Sequence, residues 1–376
     1  MLDHTDPNAL VIETARRFAQ ERLAPTASAR EKLGRIEPEI IAELGEMGFL
    51  GATNSAEWGG SEIDYETYAQ VIEEIAAGDG SVSTLVSVHN APTCEILEKF
   101  GTPGQKEQWL RPMASGKVVG SFALTESDAG SDASGVRTRA VRTNSGYVIN
   151  GSKQFISNAS VGKTTILFAV TDPDAGKKGI SAFVVANDSP GFSVARVEHK
   201  LGQKASDSCA LSFSDMHVDD SQRIGDEGQG LKIALSTLES GRIGIAAQSV
   251  GMARAALDFA IAYAKERKQF GRPIIEHQAV GFRLVEAKTK LAAAHELTLR
   301  AARLKDAGRP ALEAAAMAKL FASEAAESIC SAAIQTLGGY GYLADYPVER
   351  IYRDVRVCQI YEGTSDVQKI ILQRML

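Results

Sequence analysis

Gly225-Asp226-Glu227-Gly228-Gln229-Gly230 divides two kinds of sequence. Before it lie short β-rich runs: Val118–Leu124, Val136–Val141, Tyr147–Ile149, Thr164–Thr171, Ile180–Ala186, Phe192–Val197 and Ala210–Val218. Turn signals separate them at Asn144-Ser145-Gly146, Asn150-Gly151, Asp172-Pro173 and Ser189-Pro190-Gly191. Strands at this spacing without intervening helices predict an antiparallel sheet or barrel. After Gly230 the apolar period becomes helical. Leu231–Lys268, Gln278–Ala307 and Ala311–Leu337 are long, with brief connections, and Pro347–Ile360 is a shorter fourth. That pattern predicts an antiparallel bundle. Its stripes are mostly alanine, which favours close helix approach and packing against another subunit.

Upstream of Lys117 the period is helical as well. Asp6-Pro7 is an N-cap followed by proline, with Leu10, Ala15, Phe18 and Leu23 at helical spacing. Glu37-Pro38 opens a second helix through Ile40, Ile41, Leu44 and Met47, ended by Gly48. Trp58-Gly59-Gly60 is a loop, and Asp64 caps a helix through Tyr68, Val71 and Ile75. Ser81–Asn90 and Thr93–Phe100 read as buried helices, with Gly101-Thr102-Pro103-Gly104 before Gln105–Ala114. The predicted class is α+β, mainly α: a helical domain over 1–119, a β domain over 120–228 and a helical bundle over 229–376.

Composition narrows the function classes. The 376 residues, 44% hydrophobic, suffice for several cores or layers. A net charge of −6 and a pI near 5.7 argue against nucleic acid or an anionic membrane as partner. No run of eighteen apolar residues occurs, and the polar start (Asp3, His4, Asp6, Pro7) does not read as a signal peptide. Cys94, Cys209, Cys330 and Cys358 lack metal or redox spacing and read as buried thiols of a cytoplasmic protein; the six histidines form no metal motif.

Five strings carry candidate chemistry. Gln359-Ile360-Tyr361-Glu362-Gly363-Thr364-Ser365-Asp366-Val367-Gln368 places a carboxylate on a glycine turn, with Ser365 and Gln368 in a capping-box pattern that opens a last helix. Glu362 among apolar neighbours has its basicity raised, as suits a general base; alone, the string equally describes an acid stabilised by the helix dipole. Ala123-Leu124-Thr125-Glu126-Ser127-Asp128-Ala129-Gly130-Ser131-Asp132-Ala133-Ser134-Gly135 offers N–H groups and hydroxyls to a polar cofactor edge, or is a simple polar loop. Phe155 in Lys153-Gln154-Phe155-Ile156-Ser157-Asn158 is a ring to stack on a planar group, or core. Arg267-Lys268-Gln269-Phe270-Gly271-Arg272-Pro273 puts an arginine and an aromatic at a helix end, a pairing that suits a pyrophosphate. In Gln335-Thr336-Leu337-Gly338-Gly339-Tyr340-Gly341, three glycines in four positions exceed what a helix stop needs and suit close backbone approach to a ligand.

In this order and over nearly the whole chain, the strings resemble the acyl-CoA dehydrogenase family. The match is carried by Leu124-Thr125-Glu126 to Gly130-Ser131-Asp132, by Gln335-x-x-Gly338-Gly339-x-Gly341 with Asp345, Arg350 and Asp354, and by Ile360-Tyr361-Glu362-Gly363-Thr364-Ser365. The resemblance implies FAD bound non-covalently between subunits of a homotetramer, a dimer of dimers. Phe122, Ala123, Leu124, Thr125, Gly130 and Ser131, with Phe155, Ile156 and Ser157, would hold the flavin ring and ribityl chain. Arg267, Phe270, Gln278, Gln335, Gly338 and Gly339 would reach a neighbouring subunit's FAD, and Thr364 and Asp366 would contact phosphates. Glu362 would take the pro-R α-proton of an acyl-CoA while hydride leaves the β-carbon for the flavin, giving a trans-2-enoyl-CoA and passing electrons to electron-transferring flavoprotein. A backbone N–H at Glu362 and a ribityl hydroxyl would polarise the carbonyl, worth ~3 kcal/mol per donor. Ser131, Glu239, Arg242 and Gly363 would face the substrate.

Some family members carry the base on the first bundle helix. Here Leu238-Glu239-Ser240-Gly241-Arg242 has Gly241 at that position, so Glu362 is the expected base, and the stretch looks most like the short-chain and short-branched-chain branches. Three departures stand out: Ser127-Asp128 where a proline is usual, Phe155 where a tryptophan is common, and Ala159 where a glycine often follows the asparagine. Asp128 adds negative charge where CoA or FAD passes, which keeps a carrier-protein thioester in view. An acyl-CoA oxidase is a second alternative, and a non-catalytic flavoprotein is the remaining one. The acyl pocket floor is expected from core side chains of the N-terminal helices and the long bundle helix, with Ser87, Val88 and Asn90 as candidate contributors.

Overall fold

The structure, a computed structural model, describes residues 7–376. The expected cap at Asp6 lies outside the described residues. Helices come first: α1 (Pro7–Phe18), α2 (Ala27–Leu33), α3 (Pro38–Glu46), α4 (Tyr65–Gly78), α5 (Gly80–Val88), α6 (Glu95–Phe100), and the short α7 (Pro103–Gln105) and α8 (Arg111–Ala114). The Asp64 carboxylate caps α4 by accepting from Thr67 N, as its position predicts. On α1 the buried face runs through Ala9, Ile12, Ala15 and Phe18, so Leu10, expected inside, is exposed. The helix expected from Gln105 starts at Pro103, because Thr102 and Gln105 form a reciprocal capping box.

Eight strands follow: β1 (Gly120–Ala123), β2 (Arg139–Arg142), β3 (Gly146–Ile156), β4 (Thr164–Val170), β5 (Ile180–Ala186), β6 (Phe192–Val197), β7 (Cys209–Asp219) and β8 (Arg223–Ile224). Their order is β6-β7-β3-β2-β4-β5-β8, with β1 also on β4. Most pairings are antiparallel, as the turns predict, but β1 and β2 both run parallel to β4. Both faces of β4 and β5 are covered, by α6, α8 and the far strands, which explains their unbroken apolar sequences. Asn150-Gly151, expected as a turn, lies inside β3. The Asn150 amide donates to Asp215 at 3.0 Å, and the extra residue is absorbed as a bulge beside Gly151.

The last third holds α9 (Gly230–Glu266), a hairpin of β9 (Lys268–Gln269) and β10 (Arg272–Pro273), then α10 (Gln278–Asp306), α11 (Leu312–Leu337), α12 (Pro347–Val355) and α13 (Ser365–Gln373). Helix α9 ends two residues earlier than its sequence suggests, because Phe270 and Gly271 take positive φ and fold the next residues into the hairpin. At 37 residues it is about 55 Å long, and it is buried on all sides from Ser240 to Ala253. Length and composition alone would let it cross a membrane, but 67% of its most apolar window is buried within the protein.

Many alanines of α9 and α11 are buried within the chain's own cores. Ala246 and Ala247 of α9 share one core with Leu23, Tyr68, Ile72 and Val86 of the first helices and Ala315 and Ala322 of α11. The first helices and the bundle therefore close on a common core with α9 at its centre.

A buried ion pair ties β3 to the segment after β1. Lys153 Nζ donates to Glu126 at 2.7 Å and to the Leu124 carbonyl at 3.0 Å, with Lys153 fully buried. The Glu126 carboxylate also accepts from the N–H groups of Arg137 (2.6 Å) and Thr138 (3.0 Å). Removing the cation leaves a buried carboxylate, so Lys153→Met should lose about 3–5 kcal/mol in urea unfolding. A loss below about 1 kcal/mol would show that the pair does not hold this segment.

Candidate active site

The turn between α12 and α13 is over-determined. Tyr361, half-buried, donates its hydroxyl to the side-chain amide oxygen of Gln248 on α9. Glu362 itself then takes φ +55° and Gly363 φ +89°. The left-handed conformation costs a non-glycine residue about 1–2 kcal/mol, so it persists only where neighbours impose it. Three side chains do so. Lys319 Nζ donates to the Gly363 carbonyl at 2.7 Å, and Gln368 Nε2 donates to the Gly363 and Glu362 carbonyls at 2.8 and 3.2 Å. Thr364 caps α13, its hydroxyl accepting from Val367 N at 3.2 Å. The cap expected at Ser365 is thus one residue earlier: Ser365 Oγ is buried without a partner, and Gln368 serves the turn instead.

The Glu362 carboxylate points at α9. A Cβ built on Gly241 would stand 2.7 Å from its Oε2, so only glycine leaves room there. Oε2 is buried and accepts no hydrogen bond. Burial pushes the Glu362 carboxyl up to about 7, opposed by the charges of Arg242 and Lys319. Ile360, expected among the apolar neighbours, is 51% exposed; the burial comes from the helices facing the turn. Arg242 is itself buried, with Nε unpartnered, and burial lowers its pKa against the pull of Glu362 and Glu239. The Glu362 N–H donates to no group among the described residues.

The fingerprint after β1 stands on the Lys153–Glu126 pair. Leu124 and Ala123 are buried, Phe122 and Thr125 partly so, and Gly130 and Ser131 lie exposed on the loop beyond. Gln154 N donates to the Thr125 carbonyl at 2.9 Å. Next to it Phe155 is held at φ +61° with 62% of the residue exposed, Ile156 is buried and Ser157 half-buried. An apolar ring fixed in a strained conformation and turned outward fits a flat ligand better than a core. Asp128, the departure from the family pattern, is answered by Arg137 at 3.4 Å, both exposed.

A second group gathers elsewhere. Arg267, Gly338 and Gly339 line a cleft of about 560 Å³ with Tyr263, Thr336 and Tyr340, and nothing stands within 4 Å of a Cβ built on either glycine. Phe270 (95% exposed), Gln278 and Gln335 lie outside that lining on the neighbouring surface. Gly338 follows α11 directly, while Lys319 touches the Glu362 turn; nineteen residues of helix put roughly 28 Å between them. One chain therefore does not unite Thr364 and Asp366 with the Arg267–Gly339 group.

Of the residues assigned to the pocket floor, Asn90 is committed to structure: its amide donates to Phe49 and Val86 carbonyls and accepts from Ala52 N. Ser87 faces α9, its Oγ 2.5 Å from a Cβ built on Gly244. Sequence reasoning missed Lys319. A signal existed for the lysine, which interrupts the buried α11 stripe Ala315, Ala322, Ala326 at helical spacing.

Models of the acyl-CoA dehydrogenase family match the chain in three parts: the N-terminal domain over residues 5–117, the middle domain over 121–216 and the C-terminal domain over 228–376. A short-chain specific acyl-CoA dehydrogenase of Clostridium acetobutylicum is 41% identical over 98% of this chain and 97% of its own length. Butyryl-CoA dehydrogenase from Megasphaera elsdenii superimposes with a TM-score of 0.97 at 39% identity, covering 100% of this chain and 99% of that one. A chain from a structure described as the electron transferring flavoprotein of Acidaminococcus fermentans gives 0.97 at 41% identity, with the same coverage.

The raised Glu362 pKa carries a prediction. A base works unprotonated, so kcat/KM should climb as pH rises through about 7. Lys319→Met removes a cation that favours the carboxylate and should move that limb up by about one unit, with Lys319→Arg restoring it. An unmoved limb in Lys319→Met would show that the lysine is structural only.

Proposed function

The chain belongs to the acyl-CoA dehydrogenase family, FAD-dependent oxidoreductases, and from that premise we propose that it dehydrogenates a short-chain or short branched-chain acyl-CoA to the trans-2-enoyl-CoA with Glu362 as α-proton acceptor. The observation that carries the reading is the unpartnered Glu362 carboxylate, pushed up to about 7 and seated directly against Gly241 of α9. An α-proton is too weakly acidic for a carboxylate unless the thioester carbonyl is polarised. The unengaged Glu362 N–H is positioned to supply part of that pull, since it belongs to the same residue as the base. The positive φ of Glu362 is held by Lys319 and Gln368, which bond the carbonyls of the turn. Arg242, buried without an ion-pair partner within 4 Å among the described residues, steadies the negative charge that Glu362 carries before it accepts the proton. Ser131, Glu239 and Gly363 are the remaining substrate contacts we assign.

The residues present fit FAD. Phe122, Ala123, Leu124 and Thr125 with Gly130 and Ser131 form a polar edge on a rigid base, and the outward ring of Phe155, with Ile156 and Ser157, suits the flavin face. Thr364 and Asp366 stand at the start of α13, where N–H groups without helical partners favour phosphate oxygens. When bound, FAD supplies the acceptor for the hydride that leaves the β-carbon. Arg267, Phe270, Gln278, Gln335, Gly338 and Gly339 lie too far from that turn to serve the same FAD. We therefore assign them to the FAD of a neighbouring subunit in a homotetramer, a reading supported by the exposed Phe270, Phe282, Val285 and Tyr342. Electron-transferring flavoprotein is the proposed electron acceptor, supported by the Acidaminococcus likeness, and the four free, buried cysteines suit a cytoplasmic protein. The Arg137 partner of Asp128 removes the charge argument for a carrier-protein substrate, so CoA is the carrier we assign.

Anaerobic titration with butyryl-CoA tests the proposal. The flavin absorbance should bleach, and Glu362→Gln should slow the bleaching at least ~100-fold with an unaltered flavin spectrum before substrate is added. Absence of bleaching with every acyl-CoA offered would overturn it, and rapid reoxidation by air would favour an oxidase.

A further inference from the structure

The segment 198–208 between β6 and β7 takes no part in the chemistry above, yet it bonds to both sides of it. Its two ends hold the stretch that carries Phe155. Glu198 Oε1 accepts from Gln154 Nε2 at 2.8 Å, and the Asp207 carboxylate accepts from Asn158 N at 2.6 Å and Ser160 N at 2.7 Å. The middle of the segment faces the bundle. A Cβ built on Gly202 would stand 2.3 Å from the Arg353 carbonyl oxygen, so the chain lies directly on α12. Gln203, buried, donates its N–H to the Asp354 carboxylate of that helix and its Nε2 to the Asp354 carbonyl at 3.2 Å. The same Nε2 donates to the Tyr361 hydroxyl at 3.4 Å, and Gln203 Oε1 accepts from Thr84 of α5 at 2.5 Å. Tyr361 directly precedes Glu362 and donates in turn to Gln248 of α9, whose Nε2 donates to Thr84 Oγ1 at 2.6 Å. Gln203, Tyr361, Gln248 and Thr84 therefore form a closed ring of hydrogen bonds beside the base.

Phe155, Asn158, Gln203 and Glu362 all hold positive φ, at +61°, +67°, +45° and +55°. None is glycine, so each conformation persists only where neighbours impose it. Resting on the assignment of Glu362 as base and Phe155 as flavin-facing ring, we propose that the 198–208 segment is a strap that fixes the base relative to the flavin. Gln203 is the positioning residue for the Glu362 turn and Asp207 the one for the Phe155 stretch. Lys319 and Gln368 cannot set that gap, because both belong to the bundle that carries the turn, whereas Phe155 stands on β3. Only bonds that cross between the sheet and the bundle do so. Gln203 and Asp207, four residues apart in one segment, make bonds on each side of that crossing. The strap is also stiffened from within. Lys200 Nζ donates to the Ser206 carbonyl at 2.6 Å, Glu198 N to the Ser208 carbonyl at 2.8 Å and Ser206 N to the Gln203 carbonyl at 3.1 Å. A proton and a hydride leaving adjacent carbons need acceptors at fixed separation, which is what such a strap supplies.

Gln203→Met keeps the backbone bond to Asp354 and the side-chain length but removes the bonds to Tyr361 and Thr84. In the FAD-loaded variant, exchange of the butyryl-CoA α-proton in D₂O should slow about tenfold, with the flavin spectrum and the half-saturating butyryl-CoA concentration unchanged. Tyr361→Phe should slow exchange by a similar factor, and the double variant by about tenfold rather than a hundredfold, because both changes break one connection. Should Gln203→Met lose FAD, Tyr361→Phe reads the same connection. Asp207→Asn keeps the shape but accepts from only one of the two N–H groups. It should show the reverse pattern: an altered flavin spectrum and about tenfold slower bleaching, with exchange within about threefold of wild type. Wild-type exchange in Gln203→Met or Tyr361→Phe, additive losses in the double variant, or an unmoved flavin spectrum in Asp207→Asn overturns the strap while leaving the dehydrogenase reading intact. Absence of both exchange and bleaching in the wild-type enzyme overturns both.

Discussion

The approach of the Glu362 carboxylate to Gly241 governs the rest of the site. At this point a strained turn meets the central helix of the fold with no space for even a methyl group between them. The contact needs α9 at a fixed height, which the shared core of first helices and bundle provides. It also needs the turn held against its own backbone preference, which Lys319, Gln368, Thr364 and Tyr361 achieve from three directions. A buried carboxylate without a hydrogen bond and a buried lysine and arginine nearby are each unfavourable in a folded chain. Their concentration around one turn is the physical mark of a site kept for chemistry rather than stability.

The same logic separates the two groups of residues expected to contact FAD. The start of α13 directly follows the Glu362 turn, whereas the Arg267 and Gly338 cleft sits at the far end of α11. The stretch of α11 between Lys319, which touches the Glu362 turn, and Gly338 beyond its C-terminus is what argues for a second chain in the proposed FAD site.

Much of this was legible in the sequence because it depends on local rules. The switch of period at Gly225–Gly230 and at Lys117 gave the order of helices, strands and helices, and Asp64, Pro38 and Gly48 marked ends that the structure keeps. The misses share one cause: contacts distant in sequence override the local signal. Asn150-Gly151 has the composition of a turn, but Asp215 and Thr138 turn it into a bulge. Ser365 and Gln368 have the spacing of a capping box, yet the two carbonyls of the strained turn claim Gln368. Glycine at 363 signalled a turn, while the positive φ of Glu362 itself could not be read, because a glutamate takes it only under tertiary constraint. The parallel pairing of β1 and β2 with β4 is likewise set by long-range packing.

The central claim is that Glu362 exchanges the α-proton of the bound thioester. Its most direct test is deuterium incorporation at Cα of butyryl-CoA incubated anaerobically with the enzyme in D₂O, read by mass spectrometry. The account predicts exchange by the wild-type enzyme, rising with pH through about 7, and none above background with Glu362→Gln. Exchange by Glu362→Gln at the wild-type rate would contradict it.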